Sequence, residues 1–195
     1  MPKNRLEAFA DGIFAFAATL LILNLAVEGK EPLSHELAAI WPGFLAYAIS
    51  FTTIGIIWIN HHTLMHQIAH TDRFFLVLNV FYLGVIAFIP FPTRLLALHV
   101  FDSDARAAAL LYGVTLFLTA VFFNAVWRYA AWDRRLIRED ADAKTVVGIS
   151  RSYALGPFIY LAATAIAFAN PVAGSALYAS IALFYVLESS IFGRA

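Results

Sequence analysis

SYALGPFIYLAATAIAFANPVAGSALYASIALFYVL, residues 152–187, carries no charged side chain and decides how many times this chain crosses a membrane. A helix rises about 1.5 Å per residue, so the roughly 30 Å hydrocarbon layer takes about 20 residues, and this run is too long for one passage. Asn170 and Pro171 stand in its middle, with Gly174 just beyond. Proline removes a backbone donor and clashes with the preceding turn, so the run reads as two helices joined by a tight turn. Working outward, uncharged gaps also run over 12–27, 37–71, 74–93 and 107–127. The second gap holds one crossing followed by a His-rich stretch suited to the interface. The expectation is a single all-α, polytopic membrane domain over 1–195, with six spans at about 6–27, 37–60, 74–93, 107–129, 152–169 and 171–190.

Composition agrees. Of 195 residues, 62% are hydrophobic and only 13% charged, with a mean hydropathy of +0.76. Soluble domains carry about 25% charged residues, so the missing surface charge points to lipid contact. Lys plus Arg balance Asp plus Glu at 13 each, which leaves no basic excess for a nucleic-acid backbone. With no cysteine, disulfides, thiolate catalysis and Cys-ligated zinc are excluded.

Basic residues set the orientation, because cytoplasmic loops hold more Lys and Arg than translocated ones. With the N-terminus inside, six crossings place Lys3, Arg5, Arg73, Arg128, Arg134, Arg135, Arg138, Lys144, Arg151 and Arg194 in the cytoplasm and leave Lys30, Arg94 and Arg106 outside. Both termini are therefore expected to be cytoplasmic, in a multi-pass protein of the cell membrane. The first span has the length of a signal peptide, but Glu7 and Asp11 do not suit a basic leader and no small-x-small cleavage site follows. The mixed charges of 133–144 read as a solvated loop or short interfacial helix.

Catalytic templates are missing: there is no HExxH, Walker loop, GxSxG or GxGxxG. His62, His66 and His70 are spaced i, i+4, i+8, which on a continuous helix puts three imidazoles on one face as a metal-ligand row, an intramembrane metalloenzyme being the implied alternative. The competing reading is a polar collar of these histidines with Gln67 at the interface. His61 and its neighbours also titrate near neutral pH, so a proton pathway is a further alternative.

The first span opens with the polar group RLEAFAD (5–11) and continues as GIFAFAATLLILNL, rich in small residues. Gly12, Ala15, Ala17, Ala18 and Thr19 suit close helix packing. On another face Phe16, Thr19 or Leu20, and Leu23 recur at helical spacing, a stripe that a symmetric assembly points at a shared axis. A ring of such stripes forms a pore.

RLEAFADGIFAFAATLLILNL resembles the first transmembrane helix of the bacterial members of the transmembrane-protein-175 potassium-channel family, in which an Arg-x-x-x-Phe-Ser-Asp motif opens the helix. WINHHTLMHQIAHTDRFFLVLNVFYLGVIAFIPFPTRLL resembles that family's second and third spans, through Trp58, Asn60 and His61, then Leu78 and Asn79, then Pro90. The resemblance covers roughly 5–96. It implies a potassium-permeable channel of six-span subunits, a homo-tetramer in bacterial members, whose pore is lined by the first helix. Permeant potassium and other monovalent cations and the lipid are then the partners, with no resident cofactor, metal or nucleic acid. No Thr-Val-Gly-Tyr-Gly filter occurs, so selectivity falls to side chains.

By position the resemblance puts the first constriction on Phe16, where the family has Ile or Leu, with Thr19, Leu20 and Leu23 following. It also implies that Arg5, Phe9 and Asp11 tie the first helix to its neighbours, with Trp58, Asn60 and His61 on the other side of the network. Ala10 stands where the family has Ser. Asp11 has a simpler alternative, capping a helix N-terminus through the dipole. Glu28, Glu31 and Glu36 are expected near the outer mouth, as a cation-attracting group or as solvated loop charges.

Overall fold

The structure, a computed structural model, describes residues 3–27 and 29–192, with side chains through Leu187. Every regular element among them is helical: α1 (Lys3–Leu20), closed by a 3-10 turn (Leu21–Asn24), then α2 (Leu33–Ala39), α3 (Trp41–His66), α4 (Arg73–Phe88), α5 (Pro90–His99), α6 (Ala105–Ala131), followed by a second 3-10 turn (Trp132–Arg134), α7 (Ala143–Ala154), α8 (Gly156–Ala169) and α9 (Pro171–Phe192). Proline starts α5 and α9 and stands second in α3 and α8, positions where its missing N–H is not needed. It punctuates the chain without ending the crossings. Arg73–His99 and Ala143–Ala169 each run long enough and apolar enough to cross a membrane, as do Lys3–Asn24, Trp41–His66 and Ala105–Arg134; Pro171–Leu187 is a shorter apolar helix.

Several expected boundaries move. The first helix starts at Lys3 and closes at Asn24, short of residue 27. The second span begins at Trp41, because Pro32 and the short α2 take up 32–39, and it runs on through the histidines to His66. The third continues through Arg94 to His99, since Pro90 begins a new helix roughly in line. The fifth reaches back to Ala143, where Asp142 accepts from the Thr145 amide as a cap, so part of 133–144 is already helix.

Two apolar clusters hold the bundle. The larger joins α1, α3, α4, α6 and α7 around Phe14, Tyr82, Phe123 and Trp127; the smaller joins α6, α8 and α9 around Tyr112, Ala167 and Tyr178. Backbone proximity is enforced at two glycines. A Cβ on Gly113 would overlap the Tyr178 hydroxyl and Thr164 Oγ1, and one on Gly174 would overlap Ala167 across the turn at Asn170. The hairpin expected from Asn170–Pro171 is thus present and packed.

One end of the bundle collects the start of α1, the α3–α4 loop and the α6–α7 loop. Lys3 Nζ donates to the Met65 and Ile68 carbonyls at 2.9 and 3.2 Å, Ala69 N to Leu136 O, and Arg138 N to Gln67 O. Asp72 caps α4 through the Phe75 amide and accepts from the Tyr129 hydroxyl at 2.6 Å. Partial burial pushes the Asp72 carboxyl up, but the Tyr129 hydroxyl, the Phe75 amide and the Arg135 charge outweigh it and hold it below the usual 3.8. Lys3, Arg73, Arg134, Arg135 and Arg138 therefore share one end.

Candidate functional site

Helix α1 has two faces, and burial sorts them. Leu6, Ala10, Phe14, Ala17 and, in the closing turn, Leu21 recur every three or four residues and are buried against the larger cluster. In a membrane span the alternative to burial is lipid rather than water, so it is the close packing of Phe14 and Leu21 against neighbouring helices that fixes the rotation of the helix. That rotation turns the opposite stripe away from the subunit. Phe16 is 63% exposed and Leu23 69%, and Thr19 is exposed between them.

Between the alternatives at the middle of the stripe, Thr19 lies on the outward face and Leu20 is half-buried. Thr19 Oγ1 donates to its own helix at the Phe16 carbonyl, 2.9 Å away, so its lone pairs remain for an outside partner. Ile22, half-exposed, joins the outward face as well. Sequence spacing missed it because the last turn tightens to a 3-10 helix, in which the residue three on eclipses Thr19.

The expected network is partly assembled. Trp58 Nε1 donates to Asp11 Oδ1 at 2.8 Å, joining α1 to α3. Asp11 sits eight residues inside a helix that starts at Lys3, so the N-terminal capping alternative fails: the orphan amides are two turns away. His61 is buried, stacks on Tyr82 with ring centroids 5.6 Å apart, lies 5.7 Å from the Phe14 ring, and its Nε2 is 3.3 Å from Asn79 Oδ1. Asn79 in turn donates to Phe75 O at 2.8 Å. Arg5 and Phe9 are exposed and have no side-chain partner among the described residues. Asn60 joins through its backbone carbonyl alone, which accepts from the Tyr153 hydroxyl at 3.5 Å. The residues that sequence reading left off the list are Asn79 and Tyr82; their signal was a lone amide and a phenol one turn apart in an otherwise apolar α4.

The histidine row does not form. Helix α3 ends at His66 and Gln67 closes it, so His70 leaves the face that carries His62 and His66. Among the described residues, the His and carboxylate group close enough to share an ion is His99, the last residue of α5, with Asp102 and Asp104 of the exposed loop that follows, where the His99 ring at 2.8 Å holds the Asp102 carboxyl below its usual range. Of the carboxylates expected near an outer mouth, Glu36 is occupied: it accepts from the amides of Gly29, Lys30 and Glu31 at 2.6–3.0 Å and so closes the turn before α2. Glu31 is exposed, and Glu28 lies outside the described residues.

The family model described as endosomal/lysosomal potassium channel TMEM175 matches residues 5–90. A protein of Chamaesiphon minutus named as a potassium channel is 36% identical over 192 residues, covering 96% of this chain and 95% of its own length. One of Streptomyces collinus, also named as a potassium channel, is 36% identical over 187 residues, covering 94% and 91%. Among solved structures, that of a lysosomal potassium-selective channel TMEM175 homolog from Chamaesiphon minutus superposes with a TM-score of 0.87 at 35% identity, over 96% of this chain and 97% of that one.

Proposed function

We propose that this chain, which belongs to the TMEM175 family, is a potassium-permeable cation channel whose conduction path runs along the outward stripe of α1 in a homo-tetramer. It is a multi-pass membrane protein of a channel family, not of an enzyme family. The observation that carries the reading is the pairing of two faces on one helix. Leu6, Ala10, Phe14, Ala17 and Leu21 lock α1 into the subunit, and Phe16, Thr19 and Leu23 are thereby held outward on a defined line.

Four such lines around an axis give rings of apolar side chains with one hydroxyl ring between them. Apolar rings at a narrow axis expel water and block ions until a small displacement lets water in. The Thr19 oxygens, whose hydrogens are engaged with Phe16 carbonyls, offer four acceptors to replace part of a cation's hydration. The Trp58–Asp11 bond and the Phe14–His61 contact set where α1 rests. Six crossings with both termini cytoplasmic complete the proposal, supported by the gathering of Lys3 and the arginines of 134–138 at one end.

Reconstitution in liposomes under a potassium gradient, with and without an imposed pH gradient, tests the function. Potassium flux that persists at symmetric pH supports the channel, while flux that follows only the proton gradient supports the proton pathway. Metal analysis of the same preparation separates the metalloenzyme alternative, and particle imaging reads the symmetry.

A further inference from the structure

Behind α3, on the side away from α1, a cavity of about 310 Å³ opens between α3, α6, α7, α8 and α9. Its size is at the lower end of small-molecule sites, about 300–1,000 Å³. No charged side chain lines it, which excludes ions and charged ligands as its natural occupants. Two polar groups of α6 in the wall have their hydrogens already engaged. Asn124 Nδ2 donates to Ala120 O and Tyr153 O at 2.9 and 2.8 Å, and Thr119 Oγ1 donates to Thr115 O at 2.9 Å, so the carbonyl of Asn124 and the oxygen of Thr119 remain as acceptors. Asn60 lines the opposite wall, and its side-chain amide makes no hydrogen bond among the described residues. Aromatic rings of Phe123, Tyr153, Tyr160 and Tyr185 and aliphatic side chains supply most of the remaining surface, with Thr53 and Ser152 adding hydroxyls.

We propose that this cavity is a regulatory binding site for a small neutral ring compound bearing one O–H or N–H donor. An acyl chain would leave the Thr119 and Asn124 acceptors unpaired, whereas an aromatic alcohol gives its one hydrogen to Thr119 and places its ring among the aromatic side chains. Position gives the site its consequence: α3 carries Ile56 and Asn60 on the cavity and Trp58 and His61 toward α1 and α4, so an occupant bears on the helix that holds the outward stripe in place. The effect on flux rests on the channel reading; binding does not.

The test compares benzyl alcohol with toluene, which has the ring without the donor, on purified wild-type, Ala120→Phe and Thr119→Val proteins. Binding is read by ligand-observed magnetic resonance and potassium flux is read in liposomes. Saturable binding of benzyl alcohol is expected, about tenfold tighter than toluene. Ala120→Phe is expected to weaken both probes at least about tenfold, by filling the space, and Thr119→Val to erase the preference for the alcohol. Flux is expected to change with benzyl alcohol in wild type and not in Ala120→Phe. Non-saturable uptake of both probes, as in simple partition into detergent or bilayer, or unchanged preference in Thr119→Val, overturns the site. Saturable binding with unaltered flux overturns its regulatory role. Absence of flux before any probe is added refutes the channel reading and leaves the binding result to be judged separately.

Discussion

Leu21 and Leu23 lie in the same closing turn of α1, and truncating each to alanine should give opposite results. Leu21 is fully buried in the larger cluster. Leu21→Ala removes packed carbons and leaves a cavity, at a cost of about 2–5 kcal/mol, visible as a lower midpoint of thermal unfolding. Leu23 is 69% exposed, so Leu23→Ala should change subunit stability by no more than about 0.5 kcal/mol. Its effect belongs to the proposed path. Each truncation removes about three apolar carbons, roughly 2 kcal/mol of apolar surface per copy. If one copy's worth leaves the wetting barrier, potassium flux rises roughly 30-fold. Flux from liposomes and unfolding of the same preparations decide the matter. A stable Leu23→Ala protein with wild-type flux refutes the reasoning, as does a Leu21→Ala protein as stable as wild type.

Three further outcomes are expected. Gly113→Ala should destabilise by about 1–3 kcal/mol, because the added methyl meets the Tyr178 hydroxyl and Thr164, and thermal unfolding checks it. His61→Leu strands the Asn79 carbonyl in the core and should cost about 1–3 kcal/mol, while adding Asn79→Leu should recover part of that; a double variant worse than the sum of the two singles contradicts the pairing. Asp72 titrates below its usual value, so its stabilising effect is fully present above about pH 4 and is lost as pH falls through the lowered value. Asp72→Asn should accordingly lower the unfolding midpoint at pH 7 and narrow its difference from wild type near pH 2.

The helical membrane architecture was legible because apolar runs between charges translate directly into helices of spanning length, and Asn170–Pro171 marked the final turn. Boundaries were less so. Pro90 and Pro157 look like stops in a string of letters, yet each begins a helix that continues the preceding one, since proline is tolerated in a first turn. At the site, the outward line of Phe16 and Leu23 follows from periodicity, and the partnership of Asp11 with Trp58 from the family motif. The choice between Thr19 and Leu20 depended on the rotation of α1, which is set by contacts of Phe14 with residues more than forty positions away. The histidine row failed for a similar reason. Nothing at Gln67 announces a helix end, and the end is made by the distant pairing of Gln67 and Ala69 with Leu136 and Arg138. Glu36 read as a mouth charge because a carboxylate closing a turn onto three amides leaves no local pattern.

The absence of cysteine allows the most direct test of the proposed path. Leu23→Cys and, as a control on an outward position of α9, Phe184→Cys are reconstituted and potassium flux is followed before and after a charged, membrane-impermeant thiol reagent. Block in Leu23→Cys with undiminished flux in Phe184→Cys is the predicted result. Undiminished flux in Leu23→Cys, with the thiol shown to be modified, would contradict a path along α1.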